Sequence, residues 1–132
     1  MFLAPGFYDT TNRLNTTNAN FVDVIHTSII GLEVSIGHQD FWPDGGASQS
    51  GCLAPLDLVC NHMRVTRLYT ESILSQEKFR TSLPCSFSLY WNLGFCNCKS
   101  TCNHMGLFAD RLLKSDGDYY LSTNSLSPYS KS

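Results

Sequence analysis

The chain has 132 residues, of which 42% are hydrophobic and 15% are charged, and its formal net charge is -2. This composition predicts one globular domain and excludes a disordered chain. The sequence has no basic run, so nucleic acid is not an expected partner. It also has no apolar stretch near the roughly 20 residues that a transmembrane helix needs.

The N-terminal part predicts a loop followed by two strands. Residues 1–20 are rich in turn formers. The run FVDVIHTSII is rich in β-branched residues and predicts a buried strand that contains Asp23. The following stretch, GLEVSIGHQDFWPDGG, predicts a short strand that ends in the turn 43–46.

A helix is predicted in the run NHMRVTRLYTESIL, where apolar residues recur at helical spacing. Asn61 is the expected N-cap of this helix. Arg67 and Glu71 are expected to pair across one turn. Residues 79–105 predict short strands and cysteine-rich loops, and the run YYLSTN predicts a final strand.

Six cysteines are an even number and a high one for this length. They indicate an oxidising compartment and three disulfides, although counting leaves the pairing open. A zinc site at Cys96, Cys98, Cys102 and His104 is the alternative. Its C-x-C-x3-C-x-H spacing fits structural zinc sites poorly and leaves Cys85 without a partner, so disulfides are favoured.

Three disulfides predict a secreted protein, but the N-terminus does not have the features of a signal peptide. It has no positively charged segment, and its apolar run breaks at Pro5-Gly6, too early for the core of a signal peptide. We therefore expect that a preceding segment is missing. Asn15 begins the sequon Asn-Thr-Thr and is a candidate glycosylation site if the chain is secreted.

Several motifs together resemble the pancreatic-lipase family in order and spacing. They are FVDVIHTS, GHQDFWPDGG, a GC pair with a short loop and CNHMRVTRLYTESI, four later cysteines, MGLFADR and YYLSTN. The resemblance runs from about residue 5 to residue 129 and is nearest to insect members, including venom phospholipases of the A1 type. It implies an α/β fold, namely the C-terminal portion of an α/β-hydrolase, and no cofactor.

The resemblance implies that His62 is the catalytic histidine. In the family this histidine follows the second lid cysteine in a C-x-H element that opens a helix, as in Cys60-Asn61-His62. An imidazole suits the role because it exchanges protons near neutral pH. The same four letters, CNHM, recur at 102–105, but His104 matches no catalytic position and is expected in a surface loop.

The other catalytic groups of the family are absent from the sequence. It contains no G-x-S-x-G element, which would carry the nucleophilic serine. Aligning Pro5-Gly6-Phe7 with the family's Pro-x-Phe places the catalytic acid at Met1. The resemblance therefore implies that residues 1–132 are a partial lipase domain without the nucleophile-bearing half, and that this fragment alone is inactive.

The family's cysteine pairing implies the disulfides Cys52–Cys60, Cys85–Cys96 and Cys98–Cys102. Residues 52–60 take the lid position, and seven residues between the cysteines resemble the short lids of the phospholipase type. Candidate contacts to acyl chains or a membrane surface are Leu53, Leu56, Leu58 and Val59. The alternative is a small apolar loop packed on its own disulfide.

The NRLNTTN loop matches the family's calcium loop, which carries Asp two and five residues after an Arg. Here those positions hold Asn15 and Asn18. Because Ca²⁺ favours charged oxygen ligands, no metal is expected. His26 and His38 match family positions with structural roles.

Two functions are implied. The first is a secreted, extracellular lipid carboxylic-ester hydrolase of the phospholipase A1 or triacylglycerol lipase type, with a lipid substrate or lipid surface as its partner. The alternative is a secreted relative without a working triad, which binds lipid or resembles a yolk protein.

Overall fold

A three-stranded parallel sheet is the centre of the described structure. This computed structural model describes residues 12–53, 56–74, 76–98, 102–110 and 114–131. Its elements are a 3-10 turn at Thr16–Asn18, β1 at Asp23–Ile25, β2 at Gln39–Pro43, α1 at Leu58–Ser72, α2 at Ser88–Asn92 and β3 at Gly117–Leu121. The strand order is β1-β2-β3, with both pairs parallel. The α/β class predicted from the sequence is confirmed, and the sheet with its helices is compatible with part of an α/β-hydrolase.

The central strand β2 is covered on both faces, as parallel strands usually are. On one face Phe41 packs in an apolar cluster with Tyr119 of β3 and Leu68 of α1. On the other face the Trp42 ring lies parallel to the His26 ring, with centroids 3.8 Å apart. The Trp42 indole donates a hydrogen bond of 3.0 Å to the Asp118 carboxylate. The Phe41 cluster packs the sheet against α1, and the Trp42 contacts cover the other face.

The strand predicted over FVDVIHTSII is much shorter than expected. Regular pairing covers only Asp23–Ile25, and one further bond joins the His26 amide to the Phe41 carbonyl at 2.8 Å. The chain then turns, and the Gly31 amide donates to the Ser28 carbonyl at 3.0 Å. The prediction failed because β-branched composition does not fix where strand pairing stops. After His26 the chain continues as a loop in which Thr27 and Ser28 are buried and Ile29 is exposed.

Helix α1 begins three residues before the predicted cap. The Asp57 carboxylate caps it by accepting from the Cys60 amide at 2.9 Å, so the prediction of Asn61 as the N-cap is wrong. Asn61 is buried inside the helix, and its side-chain oxygen accepts from the Gln49 amide at 2.7 Å. The expected pairing of Glu71 is also corrected, because its carboxylate lies 3.2 Å from the Lys78 ammonium group.

All three disulfides have the implied pairing: Cys52–Cys60, Cys85–Cys96 and Cys98–Cys102. The zinc alternative is therefore wrong, because Cys98 and Cys102 are bonded to each other and Cys96 is bonded to Cys85. Among the described residues of 79–105 there are helix α2 and a bridge between Arg80 and His104, and none of the expected strands. None of the helices in the described ranges is long and apolar enough to cross a membrane.

A buried carboxylate joins the end of α1 to the C-terminal tail. Glu71 is only 5% exposed. Its two oxygens accept from the amides of Tyr129 at 2.8 Å and Ser130 at 3.0 Å, and from Ser127 and Lys78. Burial raises the pKa of Glu71, but these hydrogen bonds outweigh burial and leave the pKa below its ordinary value. The carboxylate is therefore ionised in the folded protein.

Replacing Glu71 with Gln is expected to lower the free energy of unfolding by about 2–4 kcal/mol, because an amide cannot accept on both sides. Urea denaturation at pH 7 measures this. The lowered pKa means that the stabilisation is present above the ordinary value of 4.5 and is lost as the pH falls through the folded value. The difference in the free energy of unfolding between wild type and the variant should therefore become smaller in acid. The exposed Glu77→Gln is the control and should change stability by less than about 0.5 kcal/mol; equal losses would contradict the role given to Glu71.

Candidate functional site

His62 lies one turn into α1 and faces the carboxyl end of β1. Its side chain lines a cleft of about 90 Å³ together with Ile25, His26, Thr27 and Ser28. The Thr27 hydroxyl donates a 3.4 Å hydrogen bond to the His62 carbonyl oxygen, which ties this turn of the helix to the end of the strand. Ligand sites in open parallel sheets lie at this same edge.

The cleft is lined by both apolar and polar residues. The aliphatic side chains that line it are Leu14, Val24, Ile25, Leu32, Ile36 and Val65. Beside them stand two imidazoles and the hydroxyls of Thr27 and Ser28. Sequence reasoning missed these two hydroxyl residues, although their place directly after a strand was a usable signal. The arrangement suits an uncharged, partly aliphatic molecule.

Burial lowers the pKa of His62 below its ordinary value of 6.5. The loss of water around the ring disfavours the charged imidazolium. The ring is therefore neutral at pH 7 and can accept a proton. This is the protonation state that a general base requires.

His26 and Asp40 hold the loop that forms one side of the cleft. The two side chains are buried and lie 2.7 Å apart. The other ring nitrogen of His26 is 2.9 Å from the Leu32 carbonyl oxygen. The Asp40 carboxylate also accepts from the Ile36 and Gly37 amides at 3.1 and 3.0 Å. Both nitrogens of His26 are thus engaged in fixing the loop.

His38 has a similar structural contact, because its ring nitrogen accepts from the Val22 amide at 3.0 Å. It anchors the chain just before β1. Neither His26 nor His38 presents an unoccupied ring nitrogen to the cleft, so their geometry supports the structural roles that the resemblance implies.

The predicted lid segment is partly helical. Leu58, Val59 and Cys60 belong to the first turn of α1, while Ala54 and Pro55 lie outside the described residues. Leu53, Leu56 and Val59 are 80%, 87% and 71% exposed, and Leu58 is half-buried. Three of the four apolar side chains therefore extend into solvent, and do not pack on the disulfide.

Arg64 contacts the disulfide of this segment. It is buried, and one of its guanidinium nitrogens lies 3.4 Å from the Cys52 sulfur and 4.0 Å from the Cys60 sulfur. Another donates to the Ser125 carbonyl at 3.3 Å. The disulfide is thereby held between α1 and the C-terminal tail.

The side chains of Asn15 and Asn18 accept hydrogen bonds from neighbouring residues of the same turn. The Asn15 side-chain oxygen accepts from the Thr17 amide at 2.8 Å and from the Thr17 hydroxyl at 2.6 Å. The Asn18 side-chain oxygen accepts from the Asn15 amide at 2.8 Å. These bonds form a capped 3-10 turn. Glycosylation of Asn15 stays a prediction.

The second CNHM copy has a structural task. The buried Asn103 donates to the Gln39 side chain at 2.8 Å, and Met105 belongs to the core cluster. Gly106 has a φ of +94°, and a Cβ there would overlap the Ser72 side chain. The ring of His104 bonds to the Lys78 carbonyl at 2.8 Å. This copy therefore packs against the sheet and the end of α1, and its histidine does not line the cleft of His62.

The predicted alignment of Met1 and Pro5–Phe7 with the family's acid region lies outside the described residues. The described residues place one predicted catalytic residue, His62, at the edge of the sheet. Among them no cluster of three or more histidine, cysteine or acidic side chains could hold a metal ion.

Comparisons with known proteins agree with this architecture. A family model described as "Lipase" matches residues 6–129. The chain is 36% identical to human pancreatic lipase-related protein 3, over 96% of this chain and 34% of the relative. It is 39% identical to pancreatic lipase-related protein 2 of Cavia porcellus, over 81% of this chain and 27% of the relative. It is 30% identical to lipoprotein lipase of Bos taurus, over 93% of this chain and 31% of the relative. The chain thus spans about a third of the length of these curated relatives.

The lowered pKa of His62 can be measured by NMR titration. We expect the ring protons of His62 to titrate with a midpoint below 6.5, because burial disfavours the imidazolium. The signal is assigned by its loss in His62→Asn. A midpoint at or above 6.5 would contradict the burial of the ring in this cleft.

Proposed function

Because the chain belongs to the lipase family, we propose that its protein is a lipid carboxylic-ester hydrolase in which His62 is the general base. The observation that carries this proposal is the position of His62, which lies on α1 at the carboxyl end of β1 and lines an apolar cleft. The lowered pKa of His62 supports it. The family's chemistry gives this position a defined task.

The proposed reaction begins when the neutral His62 ring takes the proton of a serine hydroxyl. The serine oxygen then attacks the ester carbonyl carbon, and the bond to the alcohol breaks after the imidazolium returns the proton to the alcohol oxygen. A water molecule, deprotonated by the same ring, then attacks the acyl-enzyme carbonyl carbon. The bond to the serine breaks as the imidazolium returns the proton to the serine oxygen, and the fatty acid leaves. The chain contains no G-x-S-x-G element. The 132-residue chain alone is therefore expected to have no hydrolase activity.

The shortness of the segment 52–60 supports a polar lipid of the phospholipase A1 type as the substrate. The segment between the two cysteines has seven residues, too few to close over a cleft. Leu53, Leu56 and Val59 are all more than 70% exposed. In the proposal these side chains touch the lipid surface while the cleft stays open to the headgroup. Triacylglycerol is the alternative substrate.

We also propose that the protein is secreted. Three disulfides are typical of proteins that fold in an oxidising compartment. The Asn15 sequon lies on a turn in which the Thr17 hydroxyl contacts the asparagine side chain, and this supports Asn15 as the site of a glycan.

The role of His62 is testable in a chimaera in which this chain replaces the matching segment of guinea-pig pancreatic lipase-related protein 2. His62→Ala is expected to lower kcat for a phospholipid or short-chain ester by about 10⁴-fold, because the general base is lost. Initial rates on phosphatidylcholine vesicles and on a soluble ester measure this. His104→Ala, in the other CNHM copy, is the matched control and should keep the rate within about twofold.

Cooperative thermal unfolding of the chimaera establishes that it is folded. A folded chimaera without activity would contradict the proposal and favour the alternative of a non-catalytic, lipid-binding or yolk-protein-like relative. Equal losses from the two histidine variants would contradict the assignment of His62.

A further inference from the structure

A second cleft lies on the C-terminal half of α1. It encloses about 390 Å³ and is lined by Thr66, Arg67, Thr70, Glu71, Leu74, Lys78, Ser127 and Tyr129. None of these residues lines the cleft of His62. We call it the Tyr129 groove.

Positive charge is concentrated around this groove, although the chain as a whole has a net charge of -2. The Arg67 guanidinium lies 3.4 Å from the Tyr129 hydroxyl, and the Lys78 ammonium group lines the same wall. The Arg64 guanidinium sits 4.7 Å above the centre of the Tyr129 ring. Two cations therefore line the groove, and the buried Arg64 lies on the Tyr129 ring outside its lining. Glu71 is the only carboxylate among the described residues that line it.

Glu71 offsets one of the positive charges, but its ion pair with Lys78 leaves other donors at the groove unused. Its two oxygens already accept from two amides, a hydroxyl and an ammonium group, and the side chain is 5% exposed. Lys78 uses one N–H in its bond to Glu71, and Arg67 uses one in its bond to the Tyr129 hydroxyl. Because an ammonium group has three donors and a guanidinium five, the two side chains retain donors for an oxyanion at the groove.

The remaining polar groups do not compete for these donors. The Thr66 hydroxyl donates to the Met63 carbonyl, and the Thr70 hydroxyl donates to the Thr66 carbonyl, both at 2.8 Å. Leu74 forms an apolar edge and is 75% exposed. Charged donors beside a projecting leucine suit a phosphate group at the boundary between headgroups and hydrocarbon.

We propose that the Tyr129 groove binds a phosphate group, held by Arg67 and Lys78, which comes from a lipid headgroup or from free phosphate. The groove binds the anion through charge-assisted hydrogen bonds, and Leu74 enters the adjoining lipid when the phosphate belongs to a membrane. Binding here needs neither His62 nor catalysis. It can therefore be tested independently of the proposed hydrolase.

The test is co-sedimentation of the protein with vesicles of phosphatidylcholine containing phosphatidic acid, compared with phosphatidylcholine alone. Arg67→Gln is expected to weaken binding to the anionic vesicles by about tenfold, since it removes a charge-assisted donor pair. Lys78→Gln should weaken it similarly. Arg80→Gln is the matched control, because it makes the same charge change at an exposed arginine that does not line the groove. Thermal melting establishes that each variant is folded.

Inorganic phosphate distinguishes the two sources. If phosphate, compared with chloride at equal ionic strength, raises the melting temperature of wild type more than that of Arg67→Gln, the groove accepts the free anion. If wild type and Arg67→Gln differ only in vesicle binding, the groove needs phosphate in its lipid-bound form. Two results would overturn the proposal. The first is a folded Arg67→Gln that matches wild type both in vesicle binding and in stabilisation by phosphate. The second is an equal loss from Arg80→Gln, which would indicate attraction to overall charge.

Discussion

The buried carboxylate of Glu71 is the interaction on which the rest of this structure depends. It joins the last turn of α1 to the amides of Tyr129 and Ser130 in the C-terminal tail. The helix is rigid, and His62 lies about 13 Å along its axis from Glu71 at 1.5 Å per residue. A fixed C-terminal end therefore helps to fix the angle at which the imidazole meets β1. The Asp57 cap, the Cys52–Cys60 disulfide and the buried Asn61 hold the other end.

The same arrangement separates two surfaces of α1. The face that carries His62 meets the carboxyl end of β1, where His26 and Asp40 hold the adjoining loop. The face that carries Arg67 borders the Tyr129 groove. A hydrolase that works at a membrane needs a site for the reacting ester and contacts that hold the protein on the lipid. The proposals assign these tasks to different faces of one helix.

The strand in GHQDFWPDGG and the final strand could be predicted from the sequence, because runs of strand-forming residues and the turn residues beside them are local signals. The α/β class followed from the family resemblance. The disulfide pairing followed from the family resemblance, since counting six cysteines could not choose it. The helix start was misplaced because Asp57 and Asn61 are both good caps, and only tertiary packing, which buries Asn61 against Gln49, decides between them. The Tyr129 groove could not be predicted, because it brings together residues that are distant in sequence. Thr27 and Ser28 were missed although they directly follow a strand. The letters CNHM alone could not separate a cleft residue from a packing contact, and only the family resemblance distinguished the two copies.

The most direct test of the assignment of His62 is the pH dependence of kcat/KM in a folded chimaera that carries this chain, set beside the NMR titration of His62 in the same protein. A general base must be neutral to act, and kcat/KM reports its pKa in the free enzyme. The account predicts an acidic limb whose midpoint coincides with that of His62 and lies below the ordinary value of 6.5. A rate that stays constant while His62 titrates would contradict it.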